Sequence, residues 1–209
     1  MKIQGISTQT LRRLPYYLNY ILSSQMSSDS YVSSSAIAEA LKLNEVKVRK
    51  DLAAVCQSRG VPKKGFLVSD LISGLYDCIG QNNVNDAILV GVGNLGRALL
   101  SYRGFERYGL KIVAAFDLQE GEIDGKRIFT IDKLSEVIQN LNVKMAVITV
   151  PAAVAQSVCD KLTENGILGI WNFAPVHLAV PYGVLVQNEN MASSLAVLSN
   201  HLKSQLAKN

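Results

Sequence analysis

Three glycines and one carboxylate, set among uncharged residues, carry the most specific chemistry in this 209-residue chain. Gly91, Gly93 and Gly96 form a Gly-x-Gly-x-x-Gly turn at the end of the uncharged run Ala87–Val92, and Leu95, Ala98, Leu99 and Tyr102 then follow at helical spacing. The pattern predicts a strand, Ala87 to Val92, buried on both faces and turning into a helix through Val92, Asn94 and Leu95. Gly91 allows the tight turn, Gly93 lets backbone approach a ligand without a Cβ in the way, and Gly96 lets helix and strand pack closely. The new helix then offers unpaired N–H groups and its positive dipole end, which suits a pyrophosphate.

A second apolar strand, Lys111–Asp117, ends on a carboxylate 21 residues after Gly96. That separation suits the group that accepts ribose hydroxyls in a dinucleotide fold. Asp117 repels a 2′-phosphate, and Leu118 and Gln119 supply no cation to hold one, so the expected cofactor is NADH/NAD+ without the extra phosphate. The plainer alternative is that Asp117 caps a turn after its strand.

Strands and helices alternate from Val84 onward. The turn-rich Glu120–Gly125 leads to a strand near Arg127-Ile128-Phe129. A helix runs from Asp132 to about Asn140, and Lys144–Val150 is another strand. Pro151 opens a helix over Ala152–Asn165, Gly166–Phe173 is a further strand, and the last lies near Val184–Gln187. The fold class is therefore α/β, a Rossmann-like doubly wound parallel sheet. Ligands in such sheets bind at the carboxyl ends of the strands. Thr149, Val150, Pro151 and Ala152, with Asn172, Phe173, Ala174 and Pro175, should converge there on the glycine turn and Asp117.

The first part of the chain is organised differently. Residues 1–80 hold ten Lys or Arg against six Asp or Glu, and the remaining residues hold eleven of each, so the whole net charge of +4 lies upstream of the glycine motif. An excess placed this way suits an anionic partner such as nucleic acid, although a solvated face would also carry it. Leu11, Leu14, Leu18, Ile21 and Leu22 mark a helix from Thr10, with Pro15 in its first turn or at a kink, and Arg12 and Arg13 stand near its front. Ser33–Ser35 offer N-caps for a second helix, Ala36–Leu41. A short turn separates this from a third, Glu45 to about Gln57, which makes a helix-turn-helix unit. On the third helix Val48, Leu52 and Val55 face inward, which turns Lys47 and Lys50 outward with Arg49 on the flank, as a recognition helix requires. Lys63 and Lys64 form a basic loop between Val61 and Phe66-Leu67-Val68, the shape of a β-hairpin wing. Together Arg12, Lys47, Arg49, Lys50, Lys63 and Lys64 are candidate DNA contacts.

The last segment, Asn190–Lys208, places Met191, Leu195, Leu198, Leu202 and Leu206 on one helical stripe that something must cover, its own sheet or a second copy. Cys56, Cys78 and Cys159 are odd in number and widely spaced, which argues against a disulfide framework or a zinc site. Without a secretory signal or a membrane-like apolar run, a cytoplasmic protein with no membrane partner is expected.

Taken in order and spacing, Arg13-Leu14-Pro15-Tyr16-Tyr17, Val48-Arg49-Lys50-Asp51-Leu52, Ile88 to Leu99, Ala115-Phe116-Asp117, Thr149–Ala152 and Asn172–Pro175 resemble the Rex family, bacterial redox-sensing transcriptional repressors, over nearly the whole chain. The resemblance implies a winged-helix DNA-binding domain over residues 1–80, a Rossmann NAD(H)-binding domain over 81–188 and a C-terminal dimerisation helix over 189–209, domain-swapped in a homodimer. It implies binding to a pseudo-palindromic DNA operator and release when NADH binds. It also implies a switch formed by Arg13, Tyr102 and Asn190; at Asn190 the family commonly has an aspartate, and asparagine hydrogen-bonds without forming an ion pair. The nicotinamide is expected near Asn172–Pro175, Tyr102 and the partner's Met191. The stretch Ala53–Phe66 departs from the family's wing pattern.

Three alternatives stand beside this reading. Most glycine-turn domains belong to oxidoreductases, yet the chain has no Tyr-x-x-x-Lys pair, and only His177 and His201 are available as histidine acid–base groups. A CoA-binding protein is the second, since the sheet domain also resembles the nucleotide domain of succinyl-CoA ligases. A family paralogue with lost or altered DNA binding is the third.

Overall fold

The computed structural model describes residues 6–56, 58, 60–80 and 85–207. Gln57, Gln81, Val84, Lys208 and both chain ends, where boundaries were expected, lie outside the described residues. Packing divides the chain into two units, Met1–Val84 with Glu106–Gly109, and Asn85–Phe105 with Leu110–Asn209.

In the first unit α1 (Thr8–Ser23) is capped by Ser7, whose hydroxyl accepts the Thr10 N–H, and it continues through Pro15, which stands well beyond the first turn. After β1 (Tyr31–Val32), Ser33 caps α2 (Ser34–Ala40), and Asn44 caps α3 (Glu45–Val55) by accepting the Lys47 N–H at 3.2 Å. β2 (Phe66–Leu67) follows, then α4 (Val68–Ile79). Leu14, Tyr17, Leu18, Ile37, Val48, Leu52, Leu71 and Leu75 form one core from all four helices.

Two expectations are corrected here. Phe66-Leu67 does not return along Val61; it pairs antiparallel with β1, Tyr31 facing Leu67 and Val32 facing Phe66. The tip of the wing is instead a tight loop in which Val61 and Gly65 exchange backbone hydrogen bonds of 2.7 and 2.9 Å. Val68 does not extend a strand but begins α4, which the sequence reading did not contain. Its buried positions Val68, Leu71, Gly74 and Leu75 do recur at helical spacing, and Gly74 lets α4 cross closely over α3, where an added Cβ would lie 2.1 Å from the Val55 carbonyl oxygen.

The second unit comprises β3 (Asn85–Val90), α5 (Asn94–Ser101), β4 (Leu110–Asp117), β5 (Gly121–Ile123), β6 (Lys126–Thr130), α6 (Leu134–Leu141), β7 (Met145–Ile148), α7 (Ala152–Glu164), β8 (Gly169–Asn172), β9 (Leu185–Asn188) and α8 (Met191–Leu206). The strands run in the order β5-β6-β4-β3-β7-β8-β9, and every pairing except β5 with β6 is parallel. Each parallel neighbour enters from the same side, so all the carboxyl ends meet at one edge. One sheet face packs Ile88, Val90, Phe116 and Ile148 against Ile138, Val158 and Leu162 of α6 and α7; the other packs Leu89, Ile112, Ala115 and Val147 against Leu100 of α5.

The strand expected over Ala87–Val92 ends at Val90, because Gly91 adopts φ 99°, a left-handed conformation that a strand cannot continue. The inward stripe of α5 is Gly96 and Leu100, with Ala98 and Tyr102 exposed. Glu120–Gly125 contains a short strand, β5, which turns back onto β6 through Asp124 and Gly125. The strands expected over 144–150 and 166–173 shorten to β7 and β8.

Candidate functional site

Backbone hydrogen bonds lock the loops after the central strands to one another before any side chain contributes. Gly91 N–H donates to the Phe116 carbonyl at 2.8 Å, Thr149 N–H to Val90 at 2.9 Å, and Phe173 N–H to Ile148 at 2.9 Å. Side chains then fix the glycine turn from both flanks. The Thr149 hydroxyl donates to the Gly91 carbonyl at 2.6 Å, and Asp117 Oδ2 accepts the Val92 N–H at 2.5 Å while its Oδ1 accepts the Leu118 N–H at 2.6 Å. The spacing read from sequence thus brings Gly91–Gly96, Asp117, Thr149 and Val150 to one point.

The three glycines differ in what surrounds them. A Cβ on Gly91 would meet Val150 Cγ1 at 2.7 Å, and one on Gly96 would meet the Gly91 carbonyl oxygen at 1.9 Å. Gly93 has no heavy atom within 4 Å of that position and starts α5, with no side-chain cap and no acidic residue in the first turn. An uncapped helix N-terminus facing open space has N–H groups free to donate to an anion such as a phosphate. Among the described residues each Asp117 oxygen accepts one hydrogen bond and keeps lone-pair capacity for a ribose hydroxyl. These residues fit an adenosine dinucleotide.

The other expected contacts fall into two groups. Pro151, Ala152 and Pro175 are exposed at the same carboxyl edge, Ala174 is buried behind it, and Tyr102 and Phe173 join a chain of rings. Tyr102 meets Phe105 edge-on at 4.8 Å, Phe105 meets Trp171 at 5.3 Å, and Trp171 meets Phe173 at 4.8 Å. Asn172, by contrast, is wholly buried. Its amide donates to the Ala174 and Val176 carbonyls and to Asn188 Oδ1, and its oxygen accepts the Ala174 N–H, so the side chain shapes the 172–176 loop and ties β8 to β9. Met191 is exposed on α8, and Asn190 caps that helix by accepting the Ser193 N–H at 3.1 Å.

In the first unit Lys47, Arg49 and Lys50 are exposed on α3, as are Arg12, Lys63 and Lys64. Arg49 and Lys63 line one open groove of about 640 Å³ between α3 and the Val61–Gly65 loop, with Ser33, Glu45 and Phe66. Lys64 Nζ lies 5.8 Å from the centre of the Tyr31 ring. Arg13 pairs with Asp51 of α3, a residue of the Val48–Leu52 motif to which the sequence alone assigned no partner. Burial pushes the Asp51 carboxyl up, but hydrogen bonds from Arg13, Tyr17 and Thr10 outweigh it and hold the group below the usual range. Among the described residues no cluster of three or more His, Cys, Asp or Glu is placed to hold a metal ion, and no helix is long and apolar enough to cross a membrane.

A basic helix-turn-helix and a nucleotide-type parallel sheet in one chain define a DNA-binding regulator with a ligand-sensing domain. Known proteins agree on both halves. A family described as "Putative DNA-binding protein N-terminus" matches residues 5–53 and one described as "CoA binding domain" matches 82–176. The chain is 38% identical over 197 residues to the redox-sensing transcriptional repressor Rex of Bacteroides fragilis, covering 92% of this chain and 89% of that one. It is also 38% identical to that of Carboxydothermus hydrogenoformans, covering 97% and 99%. The solved structure of RSP, a Rex-family repressor, in complex with β-NAD+ and operator DNA superposes with a TM-score of 0.85 at 27% identity, over 97% of this chain and 95% of that one. RSP in complex with β-NADH gives 0.84 at 27% identity, over 98% of both. The chain belongs to the Rex family of redox-sensing transcriptional repressors.

Proposed function

We propose that this protein is a cytoplasmic redox-sensing repressor that binds operator DNA as a homodimer through residues 1–80, binds NADH or NAD+ through 81–188, dimerises through 189–209, and leaves DNA when NADH binds. The observation that carries this reading is Asp117 bonded to the Val92 N–H of a glycine turn, in a chain whose other unit leaves Lys47, Arg49 and Lys50 exposed on α3.

Gly93, Asn94 and Leu95 take the phosphates, Asp117 the ribose hydroxyls, and Thr149–Ala152 border them. Phosphate and ribose contacts are shared by both redox forms and give affinity without discrimination. The bound coenzyme supplies the signal as the charge and shape of its nicotinamide. Phe173, Ala174, Pro175, Tyr102 and the partner's Met191 surround that ring, and Asn172 positions the loop that presents them. Arg12, Lys47, Arg49, Lys50, Lys63 and Lys64 contact the operator, and Arg13, Tyr102 and Asn190 couple the two states.

Dimerisation rests on two matching apolar surfaces. Met191, Leu195, Leu198, Leu202 and Leu206 are each at least 54% exposed on α8, and an open, mainly apolar groove of about 430 Å³ lies on the sheet beside Met145, Ile170, Trp171 and Leu185. In the domain-swapped arrangement α8 of one copy covers the groove of the other. The test of the function is a mobility shift on a palindromic operator, with and without NADH, at two salt concentrations. A salt-steep shift reversed by NADH supports it, and no shift, or one that NADH leaves unchanged, refutes it.

A further inference from the structure

We infer that Arg97 is a phosphate-binding residue of the nucleotide site, holding the 5′-diphosphate of the adenosine half; this rests on the coenzyme reading above. Arg97 occupies the fourth position of α5, and its Nε donates back to the Val92 carbonyl at 3.2 Å. The backward reach follows from helix geometry, since Cβ bonds tilt toward the N-terminus. It brings the guanidinium to the glycine turn on the same residue whose N–H is bonded to Asp117.

A cation in this place opposes the positive end of the helix dipole. The carboxylate at the turn, Asp117, is bonded to the Val92 and Leu118 N–H groups rather than to the guanidinium. The first turn of α5 holds no acidic residue, and among the described residues Arg97 forms no ion pair. The residue is exposed, and among the described residues its two terminal nitrogens make no hydrogen bond. Helix dipole, bare N–H groups and guanidinium together describe a site completed by an anion carrying more than one negative charge. The nucleotide's diphosphate is the group that Asp117 and Gly93 bring there. The forked guanidinium suits phosphate oxygens, and the Nε bond orients the fork before binding.

The competing role is structural, with Arg97 only tying down the Val92 carbonyl, and a ligand series separates the two. Full-length protein and Arg97→Gln are titrated calorimetrically with ADP, NAD+ and adenosine. The variant should bind ADP and NAD+ about tenfold more weakly, with adenosine unchanged and a shallower salt dependence for ADP. Arg97→Lys, which keeps the charge but not the fork, should bind ADP more tightly than Arg97→Gln and more weakly than the parent, and guards against a folding defect in the first variant. Equal loss for adenosine and ADP, or undiminished ADP binding by Arg97→Gln, overturns the assignment. If the parent protein itself takes up neither ADP nor NAD+, the coenzyme reading fails along with it; if the parent binds both, only the role of Arg97 is at stake.

Discussion

Arg13 grips Asp51 with two nitrogens: Nε donates to Oδ2 at 2.7 Å and Nη2 to Oδ1 at 3.0 Å, so the first helix and the basic third helix share one charge pair. Tyr17 and Thr10 donate to the same carboxylate at 2.8 and 3.0 Å, which gives the 5%-exposed Asp51 four donors. Asp51 thus joins Val48, Leu52 and Val55 on the inward side of α3, opposite the exposed Lys47 and Lys50.

Asp51→Asn should lower the stability of the DNA-binding unit by about 2–4 kcal/mol, because the amide must present a donor to groups that are all donors. Urea unfolding measures the loss, and a mobility shift should show weaker operator binding although no DNA-facing cation has changed. Unaltered stability would mean that the network does not hold the helix.

The same network predicts opposite pH limbs. Asp51 titrates below its ordinary 3.8, so its contribution is present above that pH and is lost as pH falls through the folded value. Burial and the neighbouring carboxylate push Tyr17 up to about 12 from 10.0, so its contribution is complete below pH 10 and lost as pH rises to 12. Stability curves of the parent and Tyr17→Phe should therefore converge between pH 10 and 12. Parallel curves across that window would show that Tyr17 titrates normally.

Gly93 and Gly96 should respond differently to a single methyl group. Gly93→Ala meets open space and should fold within about 0.5 kcal/mol of the parent, yet bind NADH at least about tenfold more weakly because the methyl stands where a phosphate approaches. Gly96→Ala places Cβ 1.9 Å from a backbone oxygen and should lose stability outright. Thermal melting and fluorescence titration separate the two; normal NADH binding by Gly93→Ala would remove the phosphate site.

Leu198→Glu combined with Leu202→Glu should yield monomers by sedimentation, since both side chains are more than half exposed on α8 and charge there prevents burial against a second copy. Operator affinity should fall by about a hundredfold or more as the paired half-sites lose their common reader. A dimer that survives both changes would place the interface elsewhere.

The sequence alone determined the glycine turn, its carboxylate, the parallel sheet and the basic helix-turn-helix. Strands buried on both faces and helices with one apolar stripe write those features into neighbouring residues, where local spacing marks them. Only the tertiary structure decided that Asp51 turns inward, that Asn172 spends its amide on the protein, that Tyr31-Val32 pairs with Phe66-Leu67, and that Trp171 borders an uncovered groove. A polar side chain is buried or exposed according to its partners, and those of Asp51 lie 34 to 41 residues away, beyond any local period.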